Sequence, residues 1–103
     1  MLAKKYRLPV QIALKKRYRS LKSLYFSVKV LPGELEYSRF GVVISKKTAK
    51  KAVDRNRLKR IIYDLAGAHK DDISVGDYII SILPPAASLS KDELKKEFYG
   101  LIL

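Results

Sequence analysis

The sequence predicts a single-domain α+β sandwich over residues 1–103, with elements in the order α-β-β-(possible extra strand)-α-β-α. Three observations predict this class. A chain of 103 residues with 48% hydrophobic content is sufficient for one folded core. Apolar residues alternate with period two over residues 24–31 and 39–45, as in half-buried strands. The spacing then becomes helical over residues 58–65 and again after residue 90.

The first elements are a short helix and two strands. Pro9 suits a first helical turn, so residues 9–17 are predicted to form a helix on which Leu14 and Tyr18 share a face. In the strand at 24–31, the residues expected to face the core are Leu24, Phe26, Val28 and Val30. The opposite face then carries Tyr25, Ser27, Lys29 and Leu31. Pro32-Gly33 predicts a turn, and the strand at 39–45 is expected to complete a hairpin.

The later elements are a helix, a strand and a second helix. A helix over residues 52–68 is predicted from an apolar stripe with i, i+3, i+4, i+7 spacing, formed by Leu58, Ile61, Ile62 and Leu65. A strand over 78–83 ends at Pro84, and the capping-box residues Ser90 and Glu93 predict the start of the last helix. The strand–helix–strand unit over 39–83 would by default cross over right-handed.

Positive charge is concentrated in the first sixty residues. The net charge is +12, but residues 1–60 hold eighteen bases and three acids, whereas residues 61–103 hold four bases and seven acids. Within residues 45–60, eight of sixteen residues are Lys or Arg, opposed only by Asp54. Because unpaired charges are costly to bury, this segment must lie at the surface. Such polarisation is typical of a nucleic-acid binder.

The composition disfavours several other classes. There is no cysteine, which excludes disulfides and thiolate metal sites. The apolar runs are too short to span a membrane, the start lacks the apolar segment of a signal peptide, and the basic residues have no apolar insertion face, so we expect a cytoplasmic protein. His69 is the only histidine and suits a helix end better than catalysis. Asp71, Asp72 and Asp77 are interpreted as solvated loop acids rather than metal ligands.

Nucleic acid is the partner that best explains the basic segment. Like charges crowded on a helix each cost a few tenths of a kcal/mol, and a polyanion removes that cost while releasing counterions. A helix edge with Arg, Asn and Lys suits the phosphate and 2′-OH contacts of A-form RNA. The residues alone do not separate RNA from DNA.

Two stretches carry a more specific resemblance. Residues 39–47 are RFGVVISKK, and residues 52–65 are AVDRNRLKRIIYDL. A strand that ends in Ser-Lys-Lys and precedes a helix with Arg-Asn-Arg is similar to the protein component of bacterial ribonuclease P. The likeness extends to the basic start with Arg7-Leu8, the strand around Phe26, and Asp77-Tyr78-Ile-Ile80.

This resemblance implies a fold and a role. The family fold is an α-β-β-β-α-β-α sandwich, similar to a ribosomal-protein domain, with a left-handed crossover at the motif helix in place of the default. The family's protein is the non-catalytic subunit of an endoribonuclease that removes 5′ leaders from precursor tRNA. The catalytic RNA carries the chemistry with magnesium, so no cofactor and no protein partner are expected for the protein itself.

The resemblance also assigns residues, none of them catalytic or metal-binding. Those expected to bind the catalytic RNA are Lys46, Lys47, Lys50, Lys51, Arg55, Asn56, Arg57, Lys59 and Arg60. Those expected to form the cleft for the 5′ leader are Leu14, Tyr18, Tyr25, Ser27, Lys29 and Val43. The first helix departs from the family, which usually has two Phe four residues apart where this chain has Leu14 and Tyr18. Two alternatives remain: a ribosomal or general RNA-binding protein of the same fold, and a nuclease that acts by itself.

Overall fold

Within the residues that the structure describes, a four-stranded sheet packs with two helices. The computed structural model describes residues 3–8, 18–33 and 35–103. Its strands and helices are β1 (Arg19–Lys22), β2 (Phe26–Leu31), β3 (Arg39–Ile44), α1 (Ala52–Ala68), β4 (Asp77–Ile82) and α2 (Lys91–Ile102). Short 3-10 turns cover Lys4–Tyr6 and Pro84–Ser88. The helix predicted at 9–17 lies outside the described residues.

The strands are arranged in the order β1-β2-β4-β3. β2 pairs antiparallel with both β1 and β4, whereas β3 pairs with β4 in parallel. The third strand before α1 is β1, which precedes the two predicted strands, whereas the possible extra strand was expected after them. The predicted hairpin between β2 and β3 is wrong, because β4 lies between them. Alternation along a strand indicates which face is buried but not which strand is the neighbour. β4 takes the centre because it is apolar and buried on both faces.

The main core lies between the sheet and the two helices. The predicted stripe of α1 is confirmed, since Leu58, Ile61, Ile62 and Leu65 are all buried. From the sheet, the residues that face this core are Phe26, Val28, Phe40, Val42, Tyr78, Ile80 and Ile82. Leu94 and Phe98 add the buried face of α2. In the part of the chain that the structure describes, no helix is long and apolar enough to cross a membrane.

The start of β2 differs from the prediction by two residues. Ser23 Oγ accepts hydrogen bonds from the backbone N–H groups of Tyr25 (3.2 Å) and Phe26 (3.1 Å). This side-chain turn ends the period-two pattern before Leu24, which is 66% exposed rather than in the core. Serine hydroxyls commonly form such local turns in competition with strand pairing.

The connection from β3 through α1 to β4 is left-handed. Phe40 and Val42 face α1 in the main core. Seen from that side with β3 running upward, L-stereochemistry directs their backbone N–H and C=O groups to the right. On that side, the Phe40 carbonyl accepts from the Leu8 N–H (2.9 Å) and the Val42 N–H donates to the Tyr63 hydroxyl (3.1 Å). The Arg39 N–H points the other way and donates to the carbonyl of Gly76, the residue before β4. β4 therefore lies to the left, against the right-handed default and as the resemblance implies.

A reciprocal pair of hydrogen bonds begins α2, as the sequence predicts. The Glu93 N–H donates to Ser90 Oγ (3.2 Å), and the Ser90 N–H donates to Glu93 Oε1 (2.9 Å). The bond from the Ser90 backbone N–H, with a smaller contribution from the Ser90 side chain, holds the pKa of Glu93 below its usual value. The chain therefore satisfies two N–H groups that the first helical turn would leave unpaired.

We expect Ser90→Ala to lower the free energy of unfolding by about 1 kcal/mol at neutral pH, measured by urea denaturation. Glu93 has a lowered pKa in the folded state, so the contribution of its ionised form is present above the unfolded-state pKa and is lost as pH falls through the folded-state pKa. Ser90→Ala keeps the backbone N–H from which Glu93 accepts, so Glu93→Ala tests the pH dependence: the difference in the free energy of unfolding between wild type and Glu93→Ala should narrow in acid. Ser88→Ala is the control, since Ser88 Oγ bonds only a local carbonyl. A difference for Glu93→Ala that is equal at neutral and acidic pH would contradict this cap.

Candidate nucleic-acid interface

The basic segment at 45–60 forms a loop followed by the first turns of α1. Two side chains fix the loop to the rest of the fold. The buried Thr48 donates from Oγ1 to the Ile82 carbonyl at the end of β4 (3.0 Å). Arg55 donates from Nη1 to the carbonyls of Ala49 (2.9 Å) and Lys50 (2.8 Å). The loop is thus held in one shape by its own residues before any partner binds.

Most of the predicted RNA-binding side chains lie at the surface of this segment. The exposed ones are Lys46, Lys47, Lys50, Lys51, Asn56, Arg57 and Arg60, whereas Arg55 and Lys59 are half-buried. Among the residues that the structure describes, no carboxylate forms an ion pair with any of these cations. The positive charge is therefore available to a partner. Arg55 differs from the others because it already bonds two carbonyls, a role that its position in the motif does not reveal.

One side of α1 borders a narrow groove. Asn56, Lys59, Arg60 and Tyr63 line it from the helix, and Arg7 lines it from the N-terminal segment; its volume is about 180 Å³. Asn56, Arg60 and Tyr63 share a helix face, since they follow i, i+4, i+7 spacing. The sequence does not predict that Arg7, so distant in the chain, meets them.

The second candidate surface is the sheet face opposite the helices, here called the open face. Ser27 and Lys29 of β2 and Val43 of β3 lie on it, as predicted, and Ser81 of β4 lies between Ser27 and Val43 in the register. An apolar cluster of Leu8, Leu31 and Ile79, with Val43 packed against it, covers part of this face. Lys22 of β1 is the register partner of Ser27 and lies on the same face. The open face therefore combines hydroxyls and two lysines with an apolar base.

Of the two tyrosines predicted for the cleft, only Tyr18 lies at the open face. Tyr18 is 53% exposed, and Lys29 Nζ lies 4.8 Å from the centroid of its ring, so these two residues of the predicted cleft are in contact. Tyr25 precedes β2 and packs against the main core, because the Ser23 turn places it before the strand. Leu14 lies outside the described residues.

Hollows lie at the two ends of the open face. One, of about 310 Å³, is lined by residues that include Val43, Ser45, Thr48 and Ser81, next to the basic loop. The other, of about 360 Å³, is lined by residues that include Tyr18, Arg19 and Leu31. A strand of nucleic acid that reached both ends would cross Ser27 and Lys29 on the way.

The acids considered as metal ligands do not form a cluster. Asp77 makes a two-point ion pair with Arg39, through Nε (3.0 Å) and Nη2 (2.8 Å). His69 Nδ1 lies 3.0 Å from an oxygen of Asp72, and Asp71 lies beside Lys70. No group of three or more histidines and acids within the described ranges could hold a metal ion.

Comparison with known proteins identifies the family. The family model described as Ribonuclease P matches residues 11–103. The chain belongs to the ribonuclease P protein family. A ribonuclease P protein component from Macrococcus caseolyticus is 31% identical over 99 residues, which cover 92% of this chain and 85% of that protein. One from Synechococcus sp. is 41% identical over 76 residues, covering 72% of this chain.

Solved structures of ribonuclease P proteins have the same fold. The Thermotoga maritima protein is 26% identical with a TM-score of 0.84, covering 93% of this chain and 96% of that one. The Staphylococcus aureus protein is 26% identical with a TM-score of 0.83, covering 93% and 91%. The matched region spans only 58% of the Synechococcus relative and 63% of one from Methylococcus capsulatus. The resemblance of the Ser-Lys-Lys and Arg-Asn-Arg motifs to ribonuclease P is thereby confirmed as family membership.

Proposed function

We propose that this chain is the protein subunit of a ribonuclease P ribonucleoprotein in the cytoplasm. In this role it binds the catalytic RNA and the 5′ leader of precursor tRNA, and so promotes maturation of the tRNA 5′ end. The observation that carries the proposal is the basic surface of residues 45–60, whose cations form no ion pair with any described carboxylate, beside the open face in a member of this family. Bond cleavage belongs to the RNA with its magnesium ions, and the protein needs no cofactor of its own.

The basic surface suits a folded RNA. Lysine and arginine side chains that lack internal partners exchange counterions for phosphates, which gives an affinity that falls with salt. The loop fixed by Thr48 and Arg55 lowers the ordering cost of binding, because its backbone is already in one conformation. Asn56 adds an amide that can bond a 2′-OH, the group that distinguishes RNA from DNA.

The open face suits the single-stranded leader. Its apolar base and the exposed ring of Tyr18 offer surfaces on which bases pack without regard to sequence, while Lys29 supplies charge for the backbone. The Arg39–Asp77 pair neutralises one end of the same face, while Lys29 lies on β2 and Lys22 lies beside it on the edge strand β1. The leader is therefore expected to cross Lys29.

Reconstitution tests this function. The protein is mixed with a bacterial ribonuclease P RNA at low magnesium, and removal of the leader from precursor tRNA is followed. We expect faster cleavage only when both components are present. Binding without stimulation would support a general RNA-binding protein instead, and cleavage by the protein alone would support a self-sufficient nuclease.

Lys29→Ala is expected to weaken binding of precursor tRNA about tenfold, as for loss of one charge-assisted contact, with mature tRNA unaffected. The reason is that only the precursor carries a leader to lie on the open face. The measurement is the affinity of the reconstituted holoenzyme for both tRNAs. Lys95→Ala, a matched change on α2, is the control. Equal losses for the two substrates would show that the leader does not cross Lys29.

A further inference from the structure

The groove beside α1 differs from the rest of the basic surface because it has two walls. Lys59 and Arg60 from α1 and Arg7 from the N-terminal segment line the same space of about 180 Å³. This volume lies below the range of about 300–1,000 Å³ that is usual for drug-sized ligands. The groove is therefore of a size for a small group, such as one phosphate of a nucleic-acid backbone, rather than a whole nucleotide.

The wall that carries Arg7 is attached to the edge of the sheet. The Leu8 N–H donates to the Phe40 carbonyl (2.9 Å), and Arg7 pairs with Phe40 in a parallel bridge. Leu8 is buried against Leu31 and Ile79 on the open face. The backbone at Arg7 is thus fixed by this bridge and by the hydrogen bond and burial of Leu8, and Arg7 lines the groove from a segment other than the helix.

Tyr63 joins the two walls. Its hydroxyl accepts a hydrogen bond from the Val42 N–H on the edge of β3 (3.1 Å), which fixes the ring between α1 and the sheet. The Arg7 guanidinium carbon lies 5.8 Å from the centroid of that ring, within the range of a cation–π contact. The ring therefore supports Arg7 at the groove that Arg60 also lines.

We propose that this groove binds one phosphodiester of the partner RNA, with Arg7 and Arg60 on opposite sides of it and Tyr63 as the positioning residue for Arg7. The inference rests on the proposed function, because it requires an RNA partner. Arg7, Lys59 and Arg60 supply three cations and Asn56 an amide donor, and no carboxylate is among the described residues that line the groove. One guanidinium group can donate two parallel hydrogen bonds to the oxygens of one phosphate, which favours arginine on both walls.

A double-mutant cycle tests whether the two arginines share one phosphate. Arg7→Ala, Arg60→Ala and the double variant are compared with wild type for affinity to a bacterial ribonuclease P RNA across a series of salt concentrations. We expect each single change to weaken binding about tenfold and the double change to weaken it much less than a hundredfold. The slope of log affinity against log salt should fall by about one in all three variants.

Changes at Tyr63 test its positioning role. Tyr63→Leu removes the ring under Arg7 and is expected to bind RNA as weakly as Arg7→Ala, with the same reduced salt slope. Adding Arg7→Ala to Tyr63→Leu should then change nothing further. Tyr63→Phe keeps the ring and should retain the coupling between Arg7 and Arg60. A purely structural role would lower thermal stability and leave the salt slope of the folded protein unchanged.

The outcomes separate this inference from the proposed function. If wild type binds the RNA with a salt-dependent affinity but Arg7→Ala binds equally well, the shared phosphate is disproved while the RNA partner stands. If the affinity losses of the two single variants multiply in the double variant, and its salt slope falls by two, the arginines contact separate phosphates. That result would also disprove the shared phosphate. If wild type shows no salt-dependent binding, the proposed function itself fails. Lys95→Ala, outside the groove, controls for the change in net charge.

Discussion

Replacing Arg57 and Arg60 together by alanine is expected to weaken binding to ribonuclease P RNA roughly a hundredfold. Both side chains are exposed on α1, and neither forms an ion pair with a described carboxylate. Each charge-assisted bond to phosphate contributes at least about 1.5 kcal/mol, so two lost bonds amount to about 3 kcal/mol, which is a little over two decades in Kd.

The salt dependence identifies the cause of this loss. Each phosphate contact contributes about 0.9 to the slope of log affinity against log salt for duplex nucleic acid, so the double variant should lose about two. The matched control is Lys95→Ala with Lys96→Ala, which removes the same charge from exposed positions on α2. A weaker affinity with an unchanged slope would place Arg57 and Arg60 away from phosphate. Loss of equal size in the control would show that net charge alone, not this surface, determines binding.

Arg55 is the instructive contrast within the same motif. Its Nη1 donates to two loop carbonyls, so its loss would release the loop that carries Lys50 and Lys51. Arg55→Ala should therefore lower thermal stability, which the other two changes should not. The sequence groups these arginines because they are adjacent, but their roles differ because a helix turns by 100° per residue and only Arg55 faces back to the loop.

The periodic elements of the fold were predictable because their signal is local. Leu58, Ile61, Ile62 and Leu65 share a face by helical geometry alone, and the Ser90–Glu93 cap needs only three residues of spacing. Strand neighbours are not local. The alternation of β2 and β3 fits pairing with any partner, so the position of β4 between them depends on its burial on both faces, a property of the assembled sheet.

The sequence predicts the part of the candidate interface that lies within one segment. It does not predict the part that forms where distant segments meet. The basic run at 45–60 lies at the surface because its charges cannot be buried. Tyr25 was predicted on the open face because alternation was continued through the Ser23 turn, which shifts the start of β2. The meeting of Arg7 with Tyr63 depends on the edge of β3, and no spacing in the sequence indicates it. The left-handed crossover likewise came from the resemblance, since general rules favour the other hand.

Arg39→Met is expected to lower the free energy of unfolding by about 3–5 kcal/mol, the usual cost of leaving one partner of a buried ion pair alone. Arg39 and Asp77 lie opposite each other at the start of the parallel β3–β4 pair and make two hydrogen bonds, of 3.0 and 2.8 Å. The side chain of Asp77 is only 4% exposed, whereas that of Arg39 is 22% exposed. Removal of Arg39 therefore leaves a carboxylate that water cannot reach.

The same geometry predicts an asymmetry between the two partners. Asp77→Asn keeps an oxygen that can accept from Arg39, and the guanidinium can also turn toward water, so its cost should be only about 1–2 kcal/mol. Urea denaturation of the two variants measures both costs. The control is Lys29→Met, which removes a cation of the open face but does not leave a buried carboxylate without its ion-pair partner. Equal costs for Arg39→Met and Asp77→Asn would mean that solvent reaches Asp77 after all. If the asymmetry holds, the Asp-Tyr-Ile-Ile segment belongs to the ribonuclease P fold rather than to RNA contact, because its acid fixes the first register pair of the parallel strands on which the motif helix depends.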